Sequence, residues 1–382
     1  MAKVLYLVSH PIQYQVPFLE MLASDPEIEL LILYYDYSRA NALDREFGRH
    51  VDFGVDLKIS CEIVPLKKGF AFVESLYRLV NFRPDLFWIH GWSSGLKILL
   101  ILAARGLGLK VALRGETGTH ISSRGKNFSG IKRYFLLSLF TLIQKFFYVG
   151  KLNKDFFIKH GVPAHKLVFS PYAVDSRKFI GLQAQQPLAS PSTTINFLFL
   201  GKLICKKGIV ELCEAFVSIR DPSISLTIVG SGGLENDLFG IVGSDSRVRF
   251  TGFQSQDAIR SHLLEADCLI VPSLFEPWGL VVNEAIASQT RCIVSNFVGS
   301  GSDLVRPETG KIVDFSDPAF RVLNLREAII EEARYQRSSG AGTNNEASVF
   351  HALADLYSFE NIVSGVKKTV GVASSREITL ED

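Results

Sequence analysis

Long apolar runs are missing from this 382-residue sequence. Of its two most apolar stretches, residues 96–111 are interrupted by three basic residues, and residues 135–143 are too short to cross about 30 Å of hydrocarbon. Residues 1–10 lack the small-residue cleavage site of a signal peptide and are predicted to form a first β-strand. The sequence therefore predicts no transmembrane span.

Cysteine is scarce, and no two cysteines have C-x-x-C spacing. An odd number of scattered cysteines favours reduced thiols and a cytoplasmic location over a disulfide framework or a thiolate metal site. Low-complexity tracts are also missing, and 47% hydrophobic with 21% charged residues is typical of a folded globular protein. The cysteines are Cys61, Cys205, Cys213, Cys268 and Cys292.

The net charge of the whole chain is only +2, but its charged residues are unevenly distributed. From Lys97 to Lys166 there are 13 Lys and Arg residues against two acids, so this segment carries +11 and the remainder −9. Beside apolar segments such as residues 134–147, such a basic surface favours peripheral contact with anionic lipid headgroups or phosphorylated acceptors. Solvated helix faces around one buried helix explain the pattern equally well.

Short apolar runs alternate with amphipathic helical stretches in both halves of the chain, which is typical of open, doubly wound α/β domains. Residues 175–194 are rich in Ser, Pro and Gln, so we place a boundary near residue 180. The predicted domains are residues 1–180 and 181–352, with ligands expected at the carboxyl ends of the strands, in a cleft between the domains. The predicted strands are residues 3–9, 28–35, 85–90, 110–115, 145–150 and 166–171, then 195–201, 226–232, 248–253, 267–273, 291–295 and 311–315.

A glycine- and lysine-rich loop follows the first strand of the second half. It contains Gly201, Lys202 and Lys207 and leads into an amphipathic helix. Glycines allow the backbone close to a ligand, and helix-end amides with lysines favour a diphosphate. The loop lacks the Ser or Thr of a G-x-x-x-x-G-K-[ST] motif. An ordinary solvated turn remains the alternative.

Two carboxylates follow a later strand. Glu276 lies in the loop after residues 267–273, and Glu284 lies on the next helix. Sugar hydroxyls are good partners for carboxylate oxygens. A helix-start acid that complements the helix dipole would explain Glu276, but not Glu284, which has apolar neighbours.

The Glu276–Glu284 spacing, within P-S-x-x-E-P-W-G-x-x-x-x-E-A, resembles the E-x7-E signature of family 4 glycosyltransferases, which are retaining GT-B enzymes. Residues 201–208, 229–233, 248–253 and 170–179 resemble further segments of that family in the same order. The HPIQYQ opening after the first strand is similar to a bacterial subset associated with surface polysaccharide assembly.

This resemblance implies a GT-B fold of two Rossmann-like domains, with a C-terminal helix near residues 353–370 crossing back to the first. It implies that Lys202 and Lys207 hold the donor diphosphate, while Glu284 binds the ribose and Glu276 the transferred sugar. Lys202 stands where the family has Arg, and it gives up bidentate phosphate contact. The implied donor-binding set is Gly201, Lys202, Lys207, Gly230, Phe253, Glu276, Pro277, Trp278, Gly279, Leu280 and Glu284.

Acceptor contacts are expected from the first domain. His10, Gln13 and Tyr14 follow the first strand, and Trp92 follows His90 at the end of another. Many relatives have a His near the strand that here ends in Arg114 and Glu116. We predict that Arg114 and Glu116 face the acceptor and assist catalysis; a plain ion pair that stabilises the loop is the alternative.

Together these features predict a retaining glycosyltransferase that moves a sugar from a UDP- or GDP-sugar to a glycan or lipid-linked saccharide, in surface polysaccharide biosynthesis. Lys202, Lys207, Glu276, Arg114 and Glu116 are the predicted catalytic residues. No D-x-D element or His/Cys cluster ends a strand, so we expect no metal, no cofactor and no nucleic acid partner. A GT-B sugar nucleotide epimerase and a catalytically silent GT-B binding protein are the alternatives.

Overall fold

A computed structural model describes most of the chain, which divides into two compact units. The N-terminal unit comprises residues 1–42, 54–172 and 358–382, and the C-terminal unit comprises residues 43–53 and 173–357. The predicted boundary near residue 180 lies outside the described residues. The described residues are 1–12, 14–37, 43–44, 49–50, 59–67, 69–119, 130–179, 194–339 and 344–372.

Strands and helices alternate along both units. The strands of the described residues are β1 (Ala2–Val8), β2 (Ile28–Tyr34), β3 (Leu43–Asp44), β4 (Arg49–His50), β5 (Glu62–Pro65), β6 (Leu86–His90), β7 (Val111–Arg114), β8 (Lys145–Tyr148), β9 (Leu167–Phe169), β10 (Ile195–Leu200), β11 (Ile224–Val229), β12 (Val248–Gly252), β13 (Cys268–Val271), β14 (Arg291–Ser295) and β15 (Gly310–Val313). The α-helices are α1 (Val16–Ala23), α2 (Ala71–Phe82), α3 (Gly95–Gly106), α4 (Gly130–Thr141), α5 (Lys151–Lys159), α6 (Ile209–Val217), α7 (Glu235–Val242), α8 (Gln256–Glu265), α9 (Leu280–Ala287), α10 (Gly301–Leu304), α11 (Arg321–Ser339), α12 (Asn344–Leu356) and α13 (Phe359–Val370).

The sheet of the N-terminal unit is parallel, in the order β5-β2-β1-β6-β7-β8-β9. Successive side chains of a strand point to opposite faces. Leu5 and Leu7 of β1 accordingly join the core formed with α2 to α5, whereas Tyr6 packs against Trp88 on the other face, where Phe18 of α1 also lies. Helices therefore cover both faces, as the continuous apolar strands predicted.

The C-terminal unit has a second parallel sheet, in the order β12-β11-β10-β13-β14-β15. Its main core combines strand residues such as Phe197 and Ile228 with Phe216 of α6 and Ile329 of α11. Two parallel sheets with helices confirm the prediction of two Rossmann-like α/β domains.

The stretch predicted as one C-terminal helix, residues 353–370, is two helices. The break falls at Ser358, whose extended backbone (φ −106°, ψ 162°) separates α12 from α13. Helix α13 packs in the N-terminal unit against α1, and Lys367 Nζ donates to Asp25 Oδ2 at 2.8 Å and Glu27 Oε2 at 3.1 Å. The last long helix thus belongs to the first unit rather than to the unit that precedes it in sequence.

Each of the twelve predicted strands has a counterpart in the structure, but β3, β4 and β5 were not predicted. Strand β5 is only four residues long, begins with a charged residue, ends with proline and is partly exposed, so it lacks a buried apolar pattern. No helix of the described residues has the length and apolar character needed to span a membrane. All five cysteines lie in described segments, and all are free thiols.

Candidate functional site

Glycines join the strand ends at the carboxyl edge of the C-terminal sheet. The Gly201 amide donates to the Val229 carbonyl (3.1 Å), and the Gly230 amide donates to the Gly252 carbonyl (2.9 Å). Gly230 has φ +142°, and a Cβ there would collide with the Gly201 carbonyl oxygen. Only glycine at position 230 allows these two turns to approach so closely.

The loop after β10 is fixed on both sides by backbone hydrogen bonds. The Leu203 amide donates to the Ser231 carbonyl at 3.0 Å, and the Leu274 amide donates to the Lys206 carbonyl at 2.8 Å. The loop ends at Gly208, where α6 begins, and the first amides of a helix attract anions. The loop is therefore held in a fixed conformation beside the first amides of α6.

Lys207 and Glu276, which sequence separates by 69 residues, form an ion pair in the structure. Their side chains are 23% and 15% exposed, so the pair is partly shielded from water and retains more of its Coulomb energy than a surface pair. The structure thus brings together two residues that were predicted separately to contact the diphosphate and the sugar.

The backbone of Glu276 is itself held in place. Its amide donates to the Phe297 carbonyl at 3.2 Å, and its carbonyl accepts from the Gly299 amide at 3.0 Å. Gly279 follows in a left-handed conformation (φ +94°) and caps α9, and a Cβ at that position would stand 3.2 Å from Glu276 Cγ. The turn into α9 therefore sets the position of the Glu276 side chain.

Glu284 presents a carboxylate that has no hydrogen bond or ion pair within the described residues. It is half-buried on α9, and desolvation raises its pKa to about 7, with Arg260 opposing the shift. Burying a carboxylate without donors costs free energy. A ligand that offers hydroxyl donors would remove that cost, so Glu284 has the properties of a binding residue.

Other predicted donor residues lie on the same edge. Phe253, at the end of β12, is 38% exposed, and Lys202 and Pro277 are half-buried. Leu280 is the first residue of α9. The Trp278 side chain is buried: its indole donates to Asn283 Oδ1 at 2.7 Å and stacks on Tyr357. Trp278 can therefore reach a ligand only through its backbone.

The N-terminal unit contains a second polar cluster at the carboxyl ends of β6 and β7. His90 Nδ1 lies 2.9 Å from Tyr6 Oη and 3.2 Å from Gln15 Nε2, while His90 Nε2 lies 3.0 Å from Glu116 Oε1. A glutamine amide nitrogen can only donate, so Nδ1 is the acceptor and Nε2 carries the proton. Burial lowers the pKa of His90, against the opposing effect of Glu116.

Glu116 accepts two hydrogen bonds on one oxygen. His90 and Tyr172 both donate to Oε1, and Oε2 has no partner among the described residues. Burial raises the pKa of Glu116, but the electrostatic interaction and hydrogen bond with His90, the hydrogen bond from Tyr172 and the charge of Arg114 outweigh the effect of burial and lower the pKa to about 2. The 35% exposed side chain therefore keeps its charge and presents one open oxygen.

The position of Arg114 differs from the prediction that it faces the acceptor. Arg114 is 1% exposed, and its guanidinium donates to Ser170 Oγ at 2.6 Å and to the Pro171 carbonyl at 3.0 Å, without an ion pair to Glu116. The guanidinium also lies over the ring of Tyr172. Arg114 is thus inaccessible to an acceptor, because the buried guanidinium donates through both terminal nitrogens to the chain around residue 170, which it holds in place.

The remaining predicted acceptor residues differ in their surroundings. Tyr14 is half-buried, and its hydroxyl lies 3.3 Å from the Tyr172 hydroxyl, whereas His10 Nδ1 lies 2.9 Å from Ser9 Oγ. Trp92 stacks on Phe156 at 6.0 Å and packs edge-on against Phe140, so most of its ring contributes to the core. Gln13 lies outside the described residues.

Sequence reasoning missed the roles of His90, Tyr172 and Gln15. His90 ends a predicted strand beside the strand that ends in Arg114, and this placement was the available signal. Tyr172 and Gln15 gave none, because their contacts with the cluster span 56 and 75 residues of sequence.

Comparisons with known proteins agree with this architecture. The profile of the family described as Glycosyl transferases group 1 matches residues 183–344. An uncharacterized glycosyltransferase of Methanocaldococcus jannaschii is 32% identical over 143 residues, which are 36% of this chain and 34% of that protein. Among the first curated relatives that it matches, the chain spans from about a third to less than half of their length.

Solved structures match over nearly the whole chain. A glycosyltransferase from Rickettsia africae has a TM-score of 0.71 at 13% identity, covering 97% of both chains. Anabaena HepE in complex with UDP has a TM-score of 0.70 at 14% identity, covering 97% of this chain and 100% of that one. The predicted fold class is confirmed: the chain has the GT-B fold of these proteins, and its C-terminal unit matches the glycosyl transferases of group 1 in sequence.

Proposed function

We propose that this chain is a retaining glycosyltransferase of family 4, which transfers a sugar from a UDP- or GDP-sugar to a glycan or lipid-linked saccharide. The observation that carries the proposal is the unpartnered carboxylate of Glu284 on the helix that follows the Lys207–Glu276 pair. The group 1 profile covers all three residues, and HepE, which has the same fold, binds UDP.

In the proposed donor complex, Lys207 and Lys202 neutralise the diphosphate, and the amides at the starts of α6 and α9 add donors. Glu284 accepts hydrogen bonds from the two ribose hydroxyls, which replace the water that burial removes. The glycines after β10 and β11 let the ligand approach the backbone.

Glu276 changes partners in this proposal. In the free protein it pairs with Lys207, and an incoming phosphate competes for that lysine. Glu276 is then released to accept hydrogen bonds from hydroxyls of the transferred sugar. The pair therefore links occupation of the phosphate position to presentation of a carboxylate to the sugar.

The N-terminal unit is proposed to bind the acceptor. Glu116 Oε2 is the open acceptor for a sugar hydroxyl, while His90 and Tyr172 fix the carboxylate through its other oxygen. Tyr14, bonded to Tyr172, supplies a further hydroxyl. Arg114 acts as a positioning residue for the chain segment that carries Tyr172.

In the proposed reaction, the bond between the anomeric carbon and the diphosphate oxygen breaks, and the acceptor oxygen bonds to the same face of that carbon. The acceptor proton passes to the leaving phosphate. Lysine charge and helix-end amides stabilise the negative charge that develops on the leaving group. Retention follows from attack on the face from which the nucleotide departs.

The cellular setting is part of the proposal. Five free thiols are typical of a reducing compartment such as the cytoplasm. A lipid-linked acceptor, as used in surface polysaccharide biosynthesis, would bring the enzyme to the anionic inner face of the membrane.

Thermal unfolding with UDP, GDP, ADP and their glucose conjugates tests the donor assignment. A ligand at about 100 times its dissociation constant stabilises a protein by about 2.7 kcal/mol. We expect one nucleotide to raise the Tm, and Lys207→Ala to abolish the rise. A wild-type protein that responds to none of them contradicts the proposal.

Turnover distinguishes the alternatives. Release of free nucleoside diphosphate in the presence of an acceptor supports transfer and argues against an epimerase. Donor binding without turnover, across a panel of glycan and lipid-linked acceptors, would favour a silent binding protein instead.

A further inference from the structure

Two neighbouring helices of the N-terminal unit expose apolar side chains to solvent. On α2 and the residue before it, Phe70, Val73, Tyr77 and Val80 recur at helical spacing and are 63%, 62%, 65% and 46% exposed. On α3, which packs beside α2, Leu99 and Leu102 are 52% and 49% exposed. We call these six residues the α2–α3 face.

The α2–α3 face contains almost no charge. The exposed positions of α3 are Gly95, Leu99, Leu102 and Gly106, all uncharged and none hydrogen-bonding through a side chain. A typical surface helix has polar residues on its solvent side, because its apolar stripe is turned to the core. Exposed apolar residues that lie together on a folded domain mark a surface that binds a membrane or another molecule.

Exposed basic residues lie at both ends of α2. Residues 67–110 contain seven Lys and Arg against two acids. Lys67 precedes α2 and Arg83 follows it, and both are exposed, whereas Lys97 is buried and Lys110 Nζ donates to the Thr369 carbonyl of α13 at 3.1 Å. Apolar side chains flanked by cations are the composition that binds the interface of an anionic bilayer.

The same charges argue against pairing of two copies through this face. In a symmetric dimer, Lys67 and Arg83 of one copy would lie close to the same residues of the other, and like charges at an interface repel. Anionic headgroups would instead neutralise these two residues while acyl chains cover the apolar side chains.

We propose that the α2–α3 face docks this protein on an anionic membrane surface. Helix α3 begins at Gly95, five residues after His90, so the face borders the edge of the sheet that carries His90 and Glu116. A docked protein therefore presents its acceptor-binding edge near the lipid headgroups. The choice of a lipid-linked acceptor rests on the proposed function, whereas docking itself does not.

Flotation with lipid vesicles, in the absence of sugar nucleotide, tests the proposal. The full-length protein should bind vesicles that contain about 30% phosphatidylglycerol, and binding should weaken as salt rises. Val73→Ser/Tyr77→Ser/Leu99→Ser/Leu102→Ser should reduce binding at least about tenfold, because it removes most of the buried apolar area.

A matched control comes from the C-terminal unit. Ile312, Phe320 and Leu323 are 41%, 52% and 44% exposed, and their triple Ser variant should bind the vesicles like the wild type. Lys67→Gln/Arg83→Gln should weaken binding to the anionic vesicles by about fivefold for each charge. Circular dichroism and the Tm show whether each variant is folded.

Three outcomes would overturn the proposal: no vesicle binding by the wild type, equal binding by the four-residue variant, or a dimer in light scattering that the same variant dissociates. The nucleotide-induced rise in Tm, measured on the same samples, separates the two proposals. A folded variant that keeps this rise but loses the vesicles supports docking, and absence of the rise in the wild type counts against the proposed function alone.

Discussion

At the residue scale, two carboxylates have opposite environments. Glu284 is desolvated without hydrogen-bond donors, and its pKa is raised to about 7. Glu116 is desolvated as well, but His90 and Tyr172 donate to it, and its pKa is lowered to about 2. Hydrogen-bond donors and neighbouring positive charge account for the difference, because Glu116 has both, whereas Glu284 has no hydrogen-bond donor within the described residues.

Glu284 gives a pH-dependent prediction. Because the pKa of Glu284 in the folded state lies above its ordinary value of 4.5, ionisation of this group lowers the stability of the ligand-free protein as pH rises from 4.5 towards about 7. The ionised carboxylate is the better acceptor for ribose hydroxyls. We expect the affinity for the preferred nucleoside diphosphate to increase as pH rises through about 7, measured by calorimetry.

The phosphates of the ligand titrate too, so the comparison with variants is decisive. Glu284→Gln should bind the nucleotide at least about tenfold more weakly, because hydrogen bonds to a charged group contribute about 1.5 to 3 kcal/mol. Its pH dependence should be flatter than that of the wild type. Glu327→Gln, on an exposed part of α11, should behave like the wild type, and equal pH profiles for all three proteins would remove Glu284 from the ribose position.

Breaking the Lys207–Glu276 pair should change nucleoside diphosphate affinity and sugar transfer in opposite directions. Glu276→Gln frees Lys207 from its partner, so a nucleoside diphosphate without sugar should bind more tightly, by about fivefold for a pair worth about 1 kcal/mol. Transfer of the sugar should fall at the same time, because the sugar loses a charged acceptor.

An acid paired elsewhere in the same unit provides the control. Asp245 is ion-paired with Arg247 at 2.6 Å, so Asp245→Asn also breaks a partly shielded pair, and it should change neither nucleotide affinity nor transfer. Weaker nucleotide binding by Glu276→Gln would show that Glu276 supports the phosphate site rather than competing for its lysine.

Tyr172→Phe tests the acceptor assignment. The substitution keeps the ring over which Arg114 lies but removes a hydrogen bond to Glu116. The KM for the acceptor should rise at least about tenfold, since a hydrogen bond to a charged group contributes about 1.5 to 3 kcal/mol. Nucleotide affinity should stay unchanged in calorimetry, and an altered nucleotide affinity with a normal acceptor KM would contradict the assignment.

At the scale of elements, the turn before α9 controls the position of Glu276. Gly279→Ala would put a Cβ 3.0 Å from Val298 Cγ1 and 3.2 Å from Glu276 Cγ, in a left-handed conformation that costs about 1 to 2 kcal/mol for other residues. We expect a lower Tm and a loss of transfer that exceeds the loss of stability.

Gly371→Ala is the control that measures the cost of a left-handed backbone conformation alone. Gly371 is also left-handed, at the end of α13, but a Cβ there meets nothing within 4 Å. Gly371→Ala should lower the Tm by a similar backbone cost and leave transfer per folded molecule unchanged. Equal activities of the two variants would show that the turn at Gly279 does not position Glu276.

The elements themselves were largely predictable, and their contacts were not. Runs such as residues 195–201 are apolar throughout because both faces of a parallel strand are buried, and this pattern is visible in one sequence. The exposed face of α2 and α3 was not foreseen, because Val73 or Leu99 has the same helical spacing whether it faces a core or a bilayer.

At the scale of the whole molecule, the two predicted sites differ in how much sequence they span. The predicted donor residues lie between Gly201 and Glu284, in one stretch whose motifs resemble a known family. The polar cluster of the N-terminal unit takes residues from Tyr6 to Tyr172, and only tertiary packing assembles it. The predicted donor set therefore stays a prediction that one stretch of sequence carries, whereas Arg114, which was predicted to face the acceptor, is buried in the structure.

The division into two units leads to a prediction for hydrogen exchange. Ligand binding suppresses local opening of the segments it contacts. A saturating nucleoside diphosphate should slow exchange in residues 201–211, 230–234 and 274–284 of the C-terminal unit, and leave residues 86–92 and 111–116 of the N-terminal unit unchanged. Mass spectrometry of the peptides measures this, and protection confined to the N-terminal unit would reverse the assignment of donor and acceptor.

The bond between Lys207 and Glu276 also bears on how a catalytic cycle would close. In the proposed cycle, Glu276 no longer binds a sugar hydroxyl once the sugar has been transferred, so it would pair with Lys207 again and weaken the binding of the nucleoside diphosphate product. The same carboxylate would thus bind the sugar of the intact donor and, after transfer, promote release of the nucleoside diphosphate. Inorganic phosphate has no sugar hydroxyls to bind Glu276, so it would have to compete with Glu276 for Lys207.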